Sequence, residues 1–180
     1  MRKKLDKKAA FSLTQSPIEA NSLRSFVEDE RAGAVSTFEG IVRNHNEGKA
    51  VRGLYYEGCE SLAQAEAQRI LAEAHDKFPL LGAVACHRLG ELSVGDMAVY
   101  VAVSSAHRDE AFSACRYIID EIKHRLPIWK KEHYIDGAAH WVNCAACSAH
   151  TQEPEHTQKP EHIQKPEHAQ KKAQGQPSAV

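Results

Sequence analysis

The chain has 180 residues, of which 42% are hydrophobic, and its formal net charge is -1 with a pI near 6.8. This length and composition are typical of one globular domain, and the nearly neutral charge argues against a protein that binds nucleic acid through bulk electrostatics. No apolar run is long enough for a membrane span, and none follows the basic N-terminus as in a secretory signal. Five scattered cysteines favour reduced thiols, so we expect a cytoplasmic protein.

The first part of the chain predicts a helix followed by two strands. Residues 1–8 are a basic, flexible leader. Residues 19–30 have apolar side chains at helical spacing. Residues 34–43 and 51–57 are rich in β-forming side chains and flank a polar, turn-prone segment at 44–48. We therefore expect these two strands to pair with each other in an antiparallel arrangement.

The middle of the chain predicts a second helix and a second pair of strands. Residues 61–78 have one apolar face, and Pro79 ends the helix. Residues 83–89 and 97–103 are apolar strands, and Ser93-Val94-Gly95-Asp96 between them suits a tight connection.

A long amphipathic helix follows and ends at Pro127. Apolar residues from Ala111 to Leu126 recur at intervals of three or four, which is the spacing of a helix that packs one face on a core. We expect Ser104 or Ser105 to cap its first turn, because a serine side chain accepts a hydrogen bond from the free backbone N–H groups there.

The chain ends in a predicted hairpin and a repetitive tail. Residues 128–135 and 139–143 flank Asp136-Gly137, a strong turn dipeptide. Beyond residue 150 a six-residue unit repeats, with a regularly spaced proline and almost no apolar side chains to bury. We therefore expect an α+β domain with an antiparallel β-sheet over residues 9–147 and a disordered tail over residues 148–180.

Basic residues stand at the ends of elements around the long helix. Arg43 ends a strand, His107 and Arg108 begin the helix, Lys123 lies near its last turn, and Lys130 follows it. Each one alone is typical of a solvated surface charge, but together they indicate a site for an anion. Lys123 also borders the apolar face, where a partly desolvated amine suits proton transfer or nucleophilic attack.

The length of the helix limits how these cations combine. Arg108 and Lys123 are fifteen residues apart in the sequence, which separates their backbones by roughly 22 Å in a helix. One small ligand therefore cannot contact both within one subunit. If both serve one site, helix ends from two subunits must meet, which predicts a homodimer with a composite site.

The cysteines give a weaker signal. Cys144 and Cys147 form a Cys-x-x-Cys pair near His140 and His150, so the alternatives are a zinc site and a pair of free thiols. Cys115 lies on the apolar face of the long helix, where we expect it to be buried. The sequence contains no glycine-rich phosphate loop and no common metal motif, and we expect neither a metal nor a cofactor.

Five short segments, in order, resemble the large, catalytic subunit of molybdopterin synthase. They are FEGIVRNHN at 38–46, HRLGE at 87–91, GD at 95–96, SAHR at 105–108 and PIWKKE at 127–132. The likeness covers roughly residues 9 to 143 and omits the tail and the Cys-x-x-Cys pair. It implies an α/β-hammerhead fold and an enzyme of molybdenum cofactor biosynthesis, a sulfurtransferase.

The resemblance also implies a substrate, a partner and an assembly. In that family a homodimer carries a small ubiquitin-like sulfur carrier at each end, which makes a heterotetramer. The C-terminal thiocarboxylate of the carrier enters the pocket of the large subunit and gives its sulfur to cyclic pyranopterin monophosphate. Two transfers form the dithiolene of molybdopterin. No metal or redox cofactor is needed, because the sulfur arrives on the partner protein.

The functional residues of that family fall on the five cations described above. The resemblance implies that Arg43, His107 and Arg108 bind the substrate, whose phosphate suits forked guanidinium donors. It implies that Lys123 and Lys130 bind substrate and are catalytic. Lys123 either transfers a proton or organises the thiocarboxylate and the acceptor carbon, and Lys130 assists it by stabilising charge or orienting the carrier. His107 either moves protons or binds phosphate.

Two other functions fit the sequence less well. A non-catalytic module that binds a ubiquitin-like carrier is the main alternative, and the retention of both Lys123 and Lys130 argues against it. A small RNA-binding domain would need aromatic stacking residues and a basic charge, which this sequence lacks.

Overall fold

The computed structural model describes residues 8–143, in which three helices and nine strands follow one another. None of the described helices combines the length and the apolar composition that crossing a membrane takes. The elements are β1 (Lys8–Thr14), α1 (Ala20–Phe26), β2 (Ala34–Ile41), β3 (His45–Asn46), β4 (Lys49–Gly58), α2 (Glu60–Lys77), β5 (Leu80–Arg88), β6 (Gly90–Ser93), β7 (Met97–Ser105), α3 (Arg108–Arg125), β8 (Ile128–Tyr134) and β9 (Ala139–Asn143).

The first sheet has the strand order β1-β5-β7-β2. Strand β1 is parallel to β5, whereas β7 is antiparallel to both β5 and β2. The side chains of β5 and β7 are buried almost without interruption, which requires cover on both faces of the sheet. Helices α2 and α3 supply that cover on one face, where Ile70, Leu71 and Ile118 are fully buried. Val27, which follows α1, packs with Tyr100 on the other face.

The second sheet places β4 between β8 and β6, with β3 and β9 at its margins. A smaller apolar core that includes Val51, Leu54 and Leu92 lies on it. Gly53 is required where β4 meets β6, because a Cβ atom at that position would lie 2.8 Å from the carbonyl oxygen of Leu92. The α+β class and the antiparallel sheets predicted from the sequence are therefore confirmed.

Several local predictions agree closely with the structure. Helix α2 matches the predicted helix at 61–78, and α3 ends two residues before Pro127. Strands β8 and β9 form the predicted hairpin, and Gly137 adopts a φ of 87° in its turn, a conformation that glycine reaches without steric cost.

The predicted pairing of residues 34–43 with residues 51–57 is wrong. Strand β2 pairs with β7 in the first sheet, and β4 pairs with β6 and β8 in the second. The polar turn instead joins the short strand β3 to β4. Adjacency along the chain predicted a hairpin, but each strand packs on a different apolar core and therefore joins a different sheet.

The predicted serine cap is also wrong. Ser104 and Ser105 are fully buried and belong to β7, where both pair with neighbouring strands. The hydroxyl of Ser105 donates to the carbonyl oxygen of Pro79 at 3.1 Å. His107 occupies the N-cap position of α3 and makes no side-chain cap hydrogen bond.

The region around residues 80–105 and the N-terminus add two strands that were not predicted. Strand β6 lies between β5 and the predicted tight turn at 93–96 and pairs with β4, although β5 and β7 do pair with each other. The turn itself is present, since the N–H of Asp96 donates to the carbonyl oxygen of Ser93 at 3.0 Å, but it joins β6 to β7. Strand β1 begins at Lys8, which had been assigned to the leader. The rest of the leader, the repeat tail, and Cys144 and Cys147 lie outside the described residues.

Candidate active site

A cavity of about 350 Å³ lies where the two sheets meet the end of α3. Three of the five predicted site residues, Arg43, Lys123 and Lys130, line it. Its walls also include the apolar side chains of Val99, Ile122, Leu126 and Ile128. The cavity thus combines positive charge with an apolar surface, which suits a small anion that carries a flat ring system.

The alternation of β8 sends two of its charged residues into this cavity. Lys130 and Glu132 both line it and lie on the same face as the buried residues Ile128 and Tyr134. Trp129, on the opposite face, is 46% exposed. A period of two along the strand therefore separates a cavity-lining lysine from an outward-facing one, Lys131.

Lys123 reaches the cavity from the last turn of α3. The sequence predicted a partly desolvated amine at this position, but the side chain of Lys123 is exposed in the single chain. The Nζ atom lies 5.4 Å from the centroid of the Phe38 ring, within the range of a cation–π contact. In the described part of the chain this ammonium makes no ion pair with a carboxylate, so it remains available to a ligand.

Glu132 is a buried carboxylate that holds Lys130 in place. Its side chain is only 2% exposed, and one of its oxygens lies 2.8 Å from Nζ of Lys130. Its other oxygen accepts hydrogen bonds from the Tyr134 hydroxyl at 2.5 Å and from Nδ2 of Asn46 at 3.0 Å. A carboxylate removed from water requires such partners, and these donors supply them.

The hydrogen bonds around Glu132 determine its protonation state. Burial alone would raise the pKa of Glu132, but the hydrogen bonds from Lys130 and Tyr134 and the charge of Lys130 outweigh it, so the pKa is lowered. The hydrogen bond to Glu132 is in turn the largest cause that raises the pKa of Tyr134. Glu132 is therefore ionised at neutral pH and orients the ammonium of Lys130.

Asn46 links this carboxylate to the third cation. Nη2 of Arg43 donates to Oδ1 of Asn46 at 2.7 Å, while Nδ2 of Asn46 donates to Glu132. This orientation of the amide is the one that serves both neighbours, because a guanidinium only donates and a carboxylate only accepts. We call the set of Arg43, Asn46, Lys130, Glu132 and Tyr134 the Glu132 network.

His87 is a buried imidazole in the wall of the cavity. It is 7% exposed, and its Nδ1 lies 2.9 Å from the carbonyl oxygen of Arg88. The ring of Tyr56 meets it edge to face, with the centroids 4.9 Å apart. Burial, together with the charge of Lys123, lowers the pKa of His87 to about 4. The ring is therefore neutral at physiological pH.

The other two predicted site residues lie away from the cavity. His107 and Arg108 are exposed at the start of α3, whereas Lys123 lies in its last turn. Arg108 approaches only the neighbouring Asp109, with Nε and Oδ1 3.7 Å apart. The separation expected from the length of the helix is thus present in the structure.

Within residues 8–143 no group of three or more His, Cys, Asp or Glu side chains is arranged to hold a metal ion. Cys115 is buried on the apolar face of α3, as predicted, and burial raises the pKa of its thiol. Cys86 is also buried, and Cys59 is exposed.

Sequence reasoning missed Asn46, His87, Glu132 and Tyr134 as site residues. The first three lie inside segments that carry the family resemblance, but no local pattern ties them to the cations. Asn46 and Glu132 are 86 residues apart in the sequence. Their contact depends on the pairing of β4 with both β3 and β8, which the sequence does not reveal.

Comparison with known proteins identifies a family for the chain. The family model described as MoaE protein matches residues 13–125. The molybdopterin synthase catalytic subunit of Nostoc sp. is 40% identical over 144 residues, which cover 79% of this chain and 87% of that protein. The corresponding subunit of Thermoplasma volcanium is 43% identical over 129 residues, covering 72% of this chain and 94% of that protein.

A solved structure shows the same fold. The crystal structure of molybdopterin synthase from Staphylococcus aureus matches with a TM-score of 0.69 and 37% sequence identity. The match covers 72% of this chain and 94% of that one. Both the sequence and the fold thus place the chain in one group, and it belongs to the MoaE family of molybdopterin synthase catalytic subunits.

Proposed function

We propose that this chain is a sulfurtransferase that converts cyclic pyranopterin monophosphate to molybdopterin. The sulfur comes from the C-terminal thiocarboxylate of a small ubiquitin-like carrier subunit. Membership of the family of molybdopterin synthase catalytic subunits supports this reaction. The observation that carries the proposal is the cavity, in which Arg43, Lys123 and Lys130 surround about 350 Å³ of space with apolar walls.

The substrate fits this cavity chemically. Its phosphate needs cations, and the guanidinium of Arg43 offers forked donors at the exposed rim of the cavity. Asn46 holds that guanidinium, which reduces the freedom that the side chain would lose on binding. The apolar side chains of Ile122 and Leu126 can cover the ring system.

The two lysines have different surroundings and therefore different roles. Lys130 is 12% exposed and held by Glu132, so it is suited to stabilising charge or orienting the carrier terminus. Lys123 is exposed and makes no ion pair within residues 8–143. It is the group for the chemical step, in which it transfers a proton or organises the thiocarboxylate and the acceptor carbon.

His107 and Arg108 complete the site from a second copy of the chain. They cannot reach the cavity of their own subunit, since α3 separates them from Lys123. Phe112, one turn further along α3, is 64% exposed, which supports an interface at this end of the helix. The proposed assembly is a homodimer with one carrier bound to each subunit, which makes a heterotetramer.

The test is to mix the purified full chain with a thiocarboxylated carrier and cyclic pyranopterin monophosphate and to assay for the dithiolene. We expect product from the wild type and a loss of at least about 100-fold for Lys123→Ala, with carrier binding retained. Lys131→Ala is the matched control, because Lys131 lies on the outer face of β8 beside Trp141.

Two outcomes would contradict the proposal. No dithiolene from the wild type with an authentic carrier would leave a non-catalytic module that binds the carrier. Turnover by Lys123→Ala at the wild-type rate would remove Lys123 from the chemical step. Light scattering of the active protein checks the dimer, and a strictly monomeric active protein would exclude the composite site.

A further inference from the structure

His87 has one ring nitrogen left for a ligand. The carbonyl oxygen of Arg88 can only accept a hydrogen bond, so Nδ1 of His87 must carry the proton in the neutral ring. Nε2 then has a free lone pair and is an acceptor. Within residues 8–143 no side chain donates a hydrogen bond to it, and the ring lines the cavity.

The surroundings of His87 keep this acceptor available. Tyr56 from β4 meets the ring edge to face, and Lys123 from α3 contributes a positive charge that disfavours a second proton on the imidazole. The ring is 7% exposed and lines the cavity, so a ligand inside the cavity can bring a donor to Nε2 and form a hydrogen bond with little competition from water.

The three cations and the carboxylate that line the cavity cannot do the same, and His45, which also lines it, is exposed to solvent. Arg43, Lys123 and Lys130 only donate hydrogen bonds, so they select acceptors such as phosphate and carbonyl oxygens. Both oxygens of Glu132 already accept from protein donors. His87 is therefore placed to select an N–H or O–H group, and a pterin ring carries several.

We propose that Nε2 of His87 accepts a hydrogen bond from an N–H or O–H group of the pterin in the cavity, which makes His87 a specificity-determining residue for substrate binding. The inference rests on the proposed function, because the pterin supplies the donor. The cations donate hydrogen bonds to the ligand, whereas Nε2 of His87 accepts one. A simple phosphate compound without an N–H or O–H group would not make this second contact.

Three variants of His87 separate ligand recognition from structural support. His87→Gln keeps a polar group near the position of Nε2, His87→Asn keeps one near the position of Nδ1, and His87→Phe keeps only the ring. Calorimetry on the full chain, without carrier, measures the binding of cyclic pyranopterin monophosphate. We expect His87→Gln to bind within about threefold of the wild type, and His87→Asn and His87→Phe to bind roughly tenfold more weakly.

The opposite order overturns the inference. If His87→Asn binds more tightly than His87→Gln, the ring acts through its bond to Arg88 and its role is structural. Equal binding by the wild type and all three variants overturns it as well, while the proposed function stands. If the wild type does not bind the pterin, the substrate assignment falls and this inference falls with it.

A second measurement needs no variant and decides the matter if the variants do not fold. Nitrogen NMR of the wild-type chain with labelled histidine reports each ring nitrogen of His87. We expect the Nε2 resonance to shift when cyclic pyranopterin monophosphate is added, while Nδ1 stays protonated. An unchanged Nε2 resonance in the saturated complex contradicts the inference.

Discussion

Two regions of the molecule bring basic and acidic side chains together, but they differ in the ratio of cations to carboxylates. At the interface of α2 and α3, Arg125 binds three carboxylates, those of Glu66, Glu73 and Glu121. In the cavity, one lining carboxylate, Glu132, faces three cations. We call the former set the Arg125 cluster.

The difference between the two regions indicates what each one does. In the Arg125 cluster the guanidinium donates at 2.7 Å to both Glu66 and Glu73, and these bonds raise the pKa of Arg125. Its charge is fully used in joining two helices. The cavity keeps an excess of positive charge that the protein itself does not neutralise, and such an excess is typical of a binding site for an anion.

The largest expected effect comes from breaking the Glu132 network. Glu132→Gln keeps the shape of the side chain but leaves Lys130 without its buried counter-charge, and removing one partner of a buried ion pair costs roughly 3 kcal/mol or more. We expect a loss of that size in the free energy of unfolding, measured by urea denaturation, together with a loss of dithiolene formation. Glu57→Gln, on the exposed face of β4, is the control. Wild-type stability for Glu132→Gln would show that the network is dispensable.

The next largest effect is a pH dependence of the free energy of unfolding, caused by His87 in the wall of the cavity. The pKa of His87 falls to about 4 because of burial and the charge of Lys123, below its ordinary value near 6.5. The unfolded chain therefore binds a proton that the folded chain does not, and stability falls as the pH drops from about 6.5 to about 4, by up to roughly 3 kcal/mol.

His87→Gln tests this assignment. Urea denaturation at several pH values should show a flatter profile for this variant between pH 6.5 and 4. His124→Gln, which removes an exposed histidine of α3, should keep the wild-type slope. An unchanged slope in His87→Gln would contradict the assignment.

A moderate effect is expected from loosening Arg43. Asn46→Ala removes the amide that orients the guanidinium and that donates to Glu132. We expect the KM for cyclic pyranopterin monophosphate to rise about tenfold with little change in kcat, because the role proposed for Arg43 is to bind the substrate and not to react. Asn44→Ala, in the same loop, should leave KM unchanged. A loss confined to kcat in Asn46→Ala would place Asn46 in the chemical step.

The smallest effect is expected in the Arg125 cluster. Hydrogen bonds from Arg125 and Tyr117 lower the pKa of Glu73 to about 2. This stabilisation is present above the ordinary pKa near 4.3 and is lost as the pH falls toward 2. Because Glu73 is 40% exposed, solvent screening limits it to about 0.5–1 kcal/mol. Glu73→Gln should lower stability by that amount at pH 7 and leave dithiolene formation unchanged. Reduced turnover by Glu73→Gln at wild-type stability would show that the Arg125 cluster affects the chemistry in the cavity.

The sequence predicted the features that depend on short stretches of chain. Helix α2 follows from its apolar face and Pro79, and the β8–β9 hairpin follows from Asp136-Gly137. Arg43, Lys123 and Lys130 were also predicted as site residues, because they stand at or near element ends and match the family resemblance. All three line the cavity, and their roles stay a prediction.

The features that were missed depend on contacts between distant segments. The pairing of β1 with β5 is parallel, and it joins residues more than seventy positions apart, which no local pattern records. Ser104 and Ser105 have the composition of a cap, but the pairing of β7 with β5 and β2 extends the strand through both. The role of Glu132 depends on Asn46, which β3 places beside it and which is 86 residues away in the sequence.

The central claim is that the excess charge of the cavity binds the anionic pterin. Calorimetry of cyclic pyranopterin monophosphate with two variants tests it most directly, since each variant removes one positive charge from one region. We expect Arg43→Gln to weaken binding about tenfold or more. Arg125→Gln, shown to be folded by circular dichroism, should bind like the wild type. Equal weakening by both variants would contradict the claim, because overall charge, and not the cavity, would then govern binding.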